Sequence, residues 1–282
     1  MSTVVVTDST ANVPLDRAAA LGISVVPMVL TIDGRDVFEG DDSSSLDVVA
    51  ALNAGRQVGT AHPGPEAFAT TYRAAAAAGA DSIVSVHVSS KLSGTYASAR
   101  IAAAQSPVPT IVVDSLSVGL GLGFAVMAAA QRASEGANVD AVADEARAVA
   151  SGVSVWFCVD NLDALRRGGR IGAARALVGN ALSIKPLLAL EAGEVVPFDR
   201  VRTTARAMVR LEDVAVERAL LVASQIAVHH LDAADRAEAL AARLRERCPT
   251  TPVMVSQLTA VVSAHTGPGT VAVVVAPDWT AP

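Results

Sequence analysis

The chain has 282 residues, a net charge of −6 and a sequence pI of about 5.4, which excludes a strongly basic nucleic-acid-binding protein. Its length corresponds to roughly two domains of about 150 residues each, and a core of that size folds without disulfides or metals. The longest apolar stretch, residues 118–130, contains three glycines and is shorter than the about 20 residues of a membrane helix, and the N-terminus lacks the basic region of a signal peptide, so we expect a cytoplasmic protein without an integral membrane segment.

Three short β-branched segments in the first half of the chain each end in small polar residues. They are residues 4–7, 82–88 and 110–113, which are followed by Asp8-Ser9-Thr10, Ser89-Ser90-Lys91 and Asp114-Ser115. A helix-like pattern follows each segment, which predicts a parallel sheet with crossover helices. Ligands bind beyond the carboxyl ends of such strands. The polar residues therefore predict either a binding edge or, equally, only N-caps for the helices.

The segment between the first two of these strands is predicted to be an insertion. Residues 25–32 and 35–38 predict a hairpin around Asp33-Gly34. Residues 46–52 predict a short helix, residues 57–65 a polar loop and residues 66–78 another helix.

The second half of the chain changes character after a predicted helix at residues 139–150. Strands are predicted at residues 153–159, 183–190, 195–201, 220–228, 253–256, 260–264 and 270–275, and helices at residues 161–167, 203–216 and 233–247, the last with Asp232 as its N-cap. This mixture predicts an α+β lobe with a mostly antiparallel sheet. We therefore divide the chain into an α/β lobe with a parallel sheet at residues 1–150 and an α+β lobe at residues 151–282.

A polar helix start after the second strand predicts an anion-binding site. The first turn of a helix presents free N–H groups and the positive end of its dipole. Ser89, Ser90, Ser93 and Thr95 add hydroxyl groups there, and Gly94 allows a ligand to approach the backbone. A carboxylate or a phosphate fits such a place, although serine-rich helix starts also occur without a ligand.

Other residues with chemical potential give weaker signals. Gly119, Gly121 and Gly123 lack the spacing of a nucleotide-binding motif and predict a sharp turn and close helix packing. No His, Cys, Asp or Glu set has metal-ligand spacing, so we expect no metal. His265 is predicted on a loop between two strands, where it either donates to a carboxylate or has no role. A hydrolase built on Ser93, His265 and an Asp lacks the G-x-S-x-G motif.

Several motifs occur together and in order along nearly the whole chain. They are T-D-S-T at residues 7–10, SSKLSGTYASA at 89–99, D-S-L-S-V-G-L-G at 114–121, V-D-N-L-D-A-L-R-R-G-G-R-I-G at 159–172, L-S-I-K-P-L-L at 182–188 and H-T-G-P-G at 265–269. This set resembles the DegV family. The resemblance implies a two-lobed fold that encloses a long-chain fatty acid, which a separate ATP-dependent kinase subunit converts to an acyl-phosphate. On that reading the chain is a lipid-binding carrier with no catalytic activity and no cofactor of its own.

The resemblance also implies roles for individual residues. Thr60 and Ser93 match the positions that hold the fatty-acid carboxylate, and the Gly94 N–H lies beside them. His265 matches the histidine that completes this polar network.

Two arginines resemble basic positions at the mouth of the pocket. Arg170 and Arg202 match positions linked to phosphate handling or kinase docking. The chain departs from the family in the loop around Thr60, which is usually similar to T-S-Q-P-S-P and here contains Ala61 and His62. His87 stands where a small or apolar residue is more usual, so the details of the head-group network are open.

Two other functions remain open from the sequence. One is a phosphotransfer enzyme related to dihydroxyacetone-type kinases, whose folds resemble the first lobe, although no nucleotide site is recognisable. The other is a carrier of a different apolar anion, such as a retinoid-like ligand or a lipid phosphate.

Overall fold

The structure is a computed structural model that describes residues 2–40, 45–177 and 184–279. Its strands are β1 (Thr3–Asp8), β2 (Ser24–Val26), β3 (Val29–Ile32), β4 (Arg35–Phe38), β5 (Val58–Ala61), β6 (Ser82–His87), β7 (Thr110–Asp114), β8 (Ser154–Cys158), β9 (Lys185–Glu191), β10 (Glu194–Val201), β11 (Ser224–Leu231), β12 (Val253–Gln257) and β13 (Thr270–Pro277). Its α-helices are α1 (Leu15–Ala20), α2 (Ser45–Asn53), α3 (Pro65–Ala77), α4 (Thr95–Ala103), α5 (Leu120–Ser134), α6 (Val139–Gly152), α7 (Asp163–Arg167), α8 (Thr204–Ala219), α9 (Ala234–Arg247) and α10 (Ala260–Thr266).

The first half of the chain forms a parallel sheet covered by helices on both faces. Its strand order is β2-β1-β6-β7, and all three pairings are parallel. Alternate residues of β6 enter different cores: Ile83 packs with Phe68 and Tyr72 of α3, whereas Val84 packs with residues of α5 and α6. This double burial explains why all six residues of β6 are buried, including the polar Ser82, Ser85 and His87. The parallel pairings confirm the predicted parallel sheet with crossover helices.

A small antiparallel sheet lies between β2 and α3 in the sequence. Its order is β4-β3-β5, and β3 and β4 form the predicted hairpin around Asp33-Gly34. Pro27 separates β3 from β2, which instead pairs with β1, so the single strand predicted at residues 25–32 is wrong. The loop predicted at residues 57–65 is also wrong in part, because residues 58–61 are the edge strand β5.

The second half of the chain forms a larger sheet with the order β10-β9-β8-β13-β11-β12. Every pairing is antiparallel except that of β11 with β12. This confirms the mostly antiparallel sheet and, with the parallel sheet, the predicted α/β fold class. Residues 182 and 183 of the predicted L-S-I-K-P-L-L segment lie outside the described residues. The division of the chain at residue 150 stays a prediction.

One predicted strand is a helix. Residues 260–264 are β-branched and alanine-rich, but they form most of α10. Their buried positions, Ala260, Val261, Ser263 and Ala264, have helical spacing, and the helix packs against α2 and α7. The residue pattern of such a short apolar segment does not distinguish a strand from a helix.

Two helix boundaries also differ from the prediction. Ala233, rather than Asp232, is the N-cap of α9. The strand predicted from residue 220 begins at Ser224, because α8 continues to Ala219.

Candidate functional site

A largely apolar cavity lies between the larger sheet and the loops of the parallel sheet. Its volume is about 960 Å³, including the open space at its mouth. One face of the larger sheet forms its floor, since Val195, Leu190, Val155 and Val274 are paired in a single row across four strands and all line the cavity. Paired residues of neighbouring strands point to the same side of a sheet. The floor is therefore continuous and apolar.

The opposite wall comes from the carboxyl ends of the parallel strands. Thr10 follows β1, Val88 follows β6, and Gly119 follows β7, and all three line the cavity. The Asp8 side chain also accepts a hydrogen bond from the backbone N–H of Thr10, at 3.1 Å, at the start of a short 3-10 turn. The segment after β1 therefore caps a short turn and also borders the cavity, whereas α4 and α5 begin at Gly94 and Gly119 without a side-chain cap, so the predicted N-caps for these two helices are wrong.

The polar end of the cavity is built around Thr60 and His265. Thr60 lies on β5 and His265 on α10, and Thr60 Oγ1 is 2.7 Å from His265 Nε2. His265 Nδ1 is buried and has no hydrogen-bond partner among the described residues. A buried N–H without an acceptor is rarer than a buried acceptor without a donor, so we assign the proton to Nε2, which then donates to Thr60.

This arrangement leaves the Thr60 hydroxyl proton available for a ligand. Burial, and secondly the positive charge of Arg170, lower the pKa of His265 from 6.5 to about 4. The imidazole is therefore neutral at pH 7, and it orients the Thr60 hydroxyl without adding a charge of its own. A hydroxyl group that already accepts one hydrogen bond is a good donor to a carboxylate.

Ser93 and Gly94 lie at the start of α4, and of the two only Ser93 is among the residues that line the cavity. Ser93 lines the cavity, and its Oγ is 2.8 Å from Thr95 Oγ1. Gly94 is the N-cap of α4, and a β-carbon there would lie 2.8 Å from Cε1 of His62. A side chain at residue 94 would therefore displace the exposed His62 ring, which packs directly on the Gly94 backbone. The N-terminal end of α4 thus adds its dipole to the polar end of the cavity.

The two predicted arginines occupy different environments. The Arg170 side chain donates to the Leu92 carbonyl, at 3.0 Å, and to the Gly168 carbonyl. It lines both the apolar cavity and a neighbouring polar recess of about 1380 Å³, open solvent included. Arg202 is exposed between β10 and α8, and it lines neither space in the described structure. The structure therefore groups Arg170, but not Arg202, with Thr60, Ser93 and His265.

The sequence assigns no role to three residues of this region. His62 and His229 line the cavity, and Gly168, which lines the neighbouring recess, packs against His265 so closely that a β-carbon would lie 2.2 Å from Nδ1. In the sequence, His62 is only a departure from the family pattern. His229 is adjacent to His230 on β11, and the alternation of a strand directs one of these two side chains into the cavity, but the sequence does not show which.

Other candidate sites do not form in the described structure. Ser93 and His265 are not hydrogen-bonded to each other there, so the hydrolase arrangement is absent. No group of three or more potential metal ligands was found among the described residues. The same residues include no helix long and apolar enough to cross a membrane. A β-carbon at Gly123 would lie 2.3 Å from the Ala11 carbonyl oxygen, which confirms close packing as the role of this glycine.

The unusual His87 belongs to a buried polar chain behind the cavity wall. His87 Nδ1 is 3.0 Å from Asp8 Oδ2, and its Nε2 is 2.7 Å from Ser85 Oγ, which accepts from the Tyr72 hydroxyl at 2.8 Å. Burial raises the pKa of Tyr72 to about 12. Since all four side chains are fully buried, the chain has no access to a ligand. It fixes Asp8, which in turn holds Thr10.

Comparisons with known proteins identify close relatives over the full described length. A family model described as "Uncharacterised protein, DegV family" matches residues 2–278. A DegV domain-containing protein of Streptomyces coelicolor is 49% identical over 272 residues, which cover 96% of this chain and 97% of the relative. One from Mycobacterium tuberculosis is 38% identical over 277 residues, which cover 98% of this chain and 97% of the relative.

Two solved structures share the whole fold. A DegV family protein from Thermus thermophilus, described for its fatty acid binding, is 33% identical with a TM-score of 0.91, and the match covers 98% of this chain and 100% of that one. DegV from Bacillus subtilis, described as a fatty acid binding protein, is 26% identical with a TM-score of 0.90, and the match covers 99% and 100% of the two chains.

Proposed function

The chain belongs to the DegV family, and from this premise we propose that it binds a long-chain fatty acid by its carboxylate. The observation that carries the proposal is an apolar cavity with one polar end, where Thr60, Ser93 and His265 converge. Thr60 and Ser93 hydroxyls and the Gly94 N–H hold the carboxylate, and His265 orients Thr60. The fatty-acid-binding relatives from Thermus thermophilus and Bacillus subtilis support this assignment.

The energetics of such a ligand agree with the shape of the site. Each buried methylene contributes about 0.8 kcal/mol, so a chain of roughly 15 methylenes gains on the order of 10 kcal/mol before the costs of association. A carboxylate needs only two or three hydrogen bonds to offset its desolvation.

A carrier role is supported by the recess that adjoins the polar end of the cavity. The recess beside Thr60 and His265 gives a second reactant access to the carboxylate, and Arg170 lines both spaces. We propose that a separate ATP-dependent kinase subunit docks at this recess and forms the acyl-phosphate, and that its contact surface extends beyond the recess to the exposed Arg202. The chain itself then supplies binding and presentation, and no chemistry. The free thiols of Cys158 and Cys248 agree with a cytoplasmic location.

Mass spectrometry of the denatured, purified protein tests the binding proposal. We expect a co-purifying fatty acid, or uptake of added fatty acid after delipidation. A protein that carries no acyl chain and takes none up would overturn it. The kinase step is tested separately, by adding an ATP-dependent fatty acid kinase subunit to the loaded protein and measuring acyl-phosphate.

A further inference from the structure

The polar recess shares part of its lining with the polar end of the cavity. Thr60, Arg170 and His265 line both spaces. The rest of the recess is lined from α2, β3, β5 and α7, with Arg56 just after α2 and Arg167 at the end of α7. Because the two spaces meet at the proposed carboxylate site, a group that is bonded to the carboxylate of a ligand has room in the recess.

The charged residues that line the recess all carry the same sign. Within the described residues, the lining contains three arginines and no aspartate or glutamate. This local positive charge contrasts with the net charge of −6 of the whole chain. A concave surface lined by charges of one sign attracts ligands of the opposite sign, so the recess is suited to an anion.

The three guanidinium groups keep donors that are free for a ligand. Arg56 donates from Nε to Asp33 Oδ2, at 2.6 Å, and Arg170 donates from Nε and Nη1 to two backbone carbonyls. The remaining guanidinium nitrogens of these two arginines, and all those of Arg167, have no hydrogen-bond partner in the part of the chain that the structure describes. A phosphoryl group presents three acceptor oxygens, which arginine binds in pairs through its planar fork.

We infer that the recess is a phosphoryl subsite, in which Arg56, Arg167 and Arg170 bind the phosphoryl group of an acyl-phosphate. This inference rests on the proposed function and names the residues that hold its product. In the proposed kinase step, a carboxylate oxygen of the fatty acid forms a bond to the γ-phosphorus of ATP. The bond from that phosphorus to the bridging oxygen breaks, and ADP leaves with the electron pair. The acyl chain stays in the cavity, while the added negative charge lies among the arginines.

The test compares two ligands of equal chain length, a saturated fatty acid and the 2-oxoalkylphosphonate in which a methylene group replaces the bridging oxygen of the acyl-phosphate. Calorimetry gives both dissociation constants for the delipidated chain without any partner protein. Arg56→Ala and Arg167→Ala should each lower the preference for the phosphonate over the fatty acid about tenfold, because each removes charge-assisted hydrogen bonds. Arg166→Ala is the matched control. This exposed neighbour of Arg167 pairs with Asp163 at 3.2 Å and does not line the recess, so the preference should stay unchanged.

The outcomes separate the inference from the function on which it rests. An unchanged preference in both Arg56→Ala and Arg167→Ala overturns the phosphoryl subsite and leaves the proposed fatty-acid binding standing. An unsubstituted protein that binds the fatty acid but not the phosphonate has the same consequence. An equal loss in Arg166→Ala also overturns the subsite, because the effect would then come from the overall charge of α7. Failure of the unsubstituted protein to bind the fatty acid overturns the proposed function itself.

Discussion

Replacing Thr60 by valine tests the polar end of the cavity with little change in shape. Thr60 pairs with Leu30 in the small antiparallel sheet, and valine is compatible with a strand. The substitution removes the hydroxyl that lies 2.7 Å from His265 Nε2. It thereby removes both the acceptor of the imidazole proton and the proposed donor to the ligand.

The expected magnitudes differ for stability and for binding. A buried donor left without a partner costs about 1–3 kcal/mol, so we expect the ligand-free protein to lose stability in this range. A hydrogen bond to a charged group contributes about 1.5–3 kcal/mol, which corresponds to roughly 10- to 150-fold weaker binding of a fatty acid. Thr60→Ser restores the hydroxyl and should restore most of the affinity.

Two measurements check this reasoning. Calorimetry with a fatty acid gives the dissociation constants of the delipidated variants, and urea unfolding gives their stabilities. Weak binding by Thr60→Val with near-normal binding by Thr60→Ser supports the assignment. Equal affinity of Thr60→Val and the unsubstituted protein would show that the carboxylate lies elsewhere.

Three further predictions follow from other parts of the site. Gly168→Ala should displace His265, because the new β-carbon would lie 2.2 Å from Nδ1 of the imidazole, and should weaken fatty-acid binding about tenfold or more. Gly64→Ala is the control, because open space surrounds this glycine, and it should leave the affinity unchanged. In the folded protein the pKa of His229 and of His265 is about 4, which is below the ordinary value of 6.5. The free energy of unfolding should therefore be unaffected above pH 6.5 and fall as the pH drops towards 4, by about 2 kcal/mol per histidine at pH 5. Urea unfolding at pH 7 and pH 5 measures this loss, and equal stabilities at the two pH values contradict it. Arg202→Ala should keep normal fatty-acid affinity but slow acyl-phosphate formation with a kinase partner, and normal turnover would remove Arg202 from the docking surface.

The parts of the fold that the sequence predicts correctly are those whose burial shows in the residue pattern. β6 is buried on both faces because helices cover both, and Ile83, Val84 and Val86 give it the β-branched pattern from which the strand is predicted. β5 is different, because V-G-T-A acquires its strand conformation by pairing with β3 rather than from its own propensity. The strand predicted at residues 260–264 is wrong for the opposite reason. The β-branched residues of this segment favour a strand, whereas its packing against α2 and α7 requires the helix α10.

The candidate site is also predicted only in part from the sequence. Thr60, Ser93 and His265 are suggested by motifs that match the family, but the sequence does not show that Thr60 and His265 touch across 205 positions. His229 and His230 are equivalent as sequence, and only the pairing of β11 with β13 decides which ring faces the cavity. Contacts of this kind depend on sheet register, which a single sequence specifies only weakly.

One helix, α10, connects the two features that the proposed carrier role requires, which are enclosure of the tail and alignment of the head group. The Glu39 carboxylate, whose pKa is raised by burial, accepts the N–H of Val261 at the start of α10, at 2.6 Å. Asn12 accepts the N–H of Thr259 at 3.0 Å, and Thr60 contacts His265 at the other end. All of these contacts join the first half of the chain to the second. Because Val261 and His265 both line the cavity, a displacement of α10 would move its apolar wall and its polar end together. Under the proposed function, we therefore expect release of the tail to be coupled to loss of the head-group contacts.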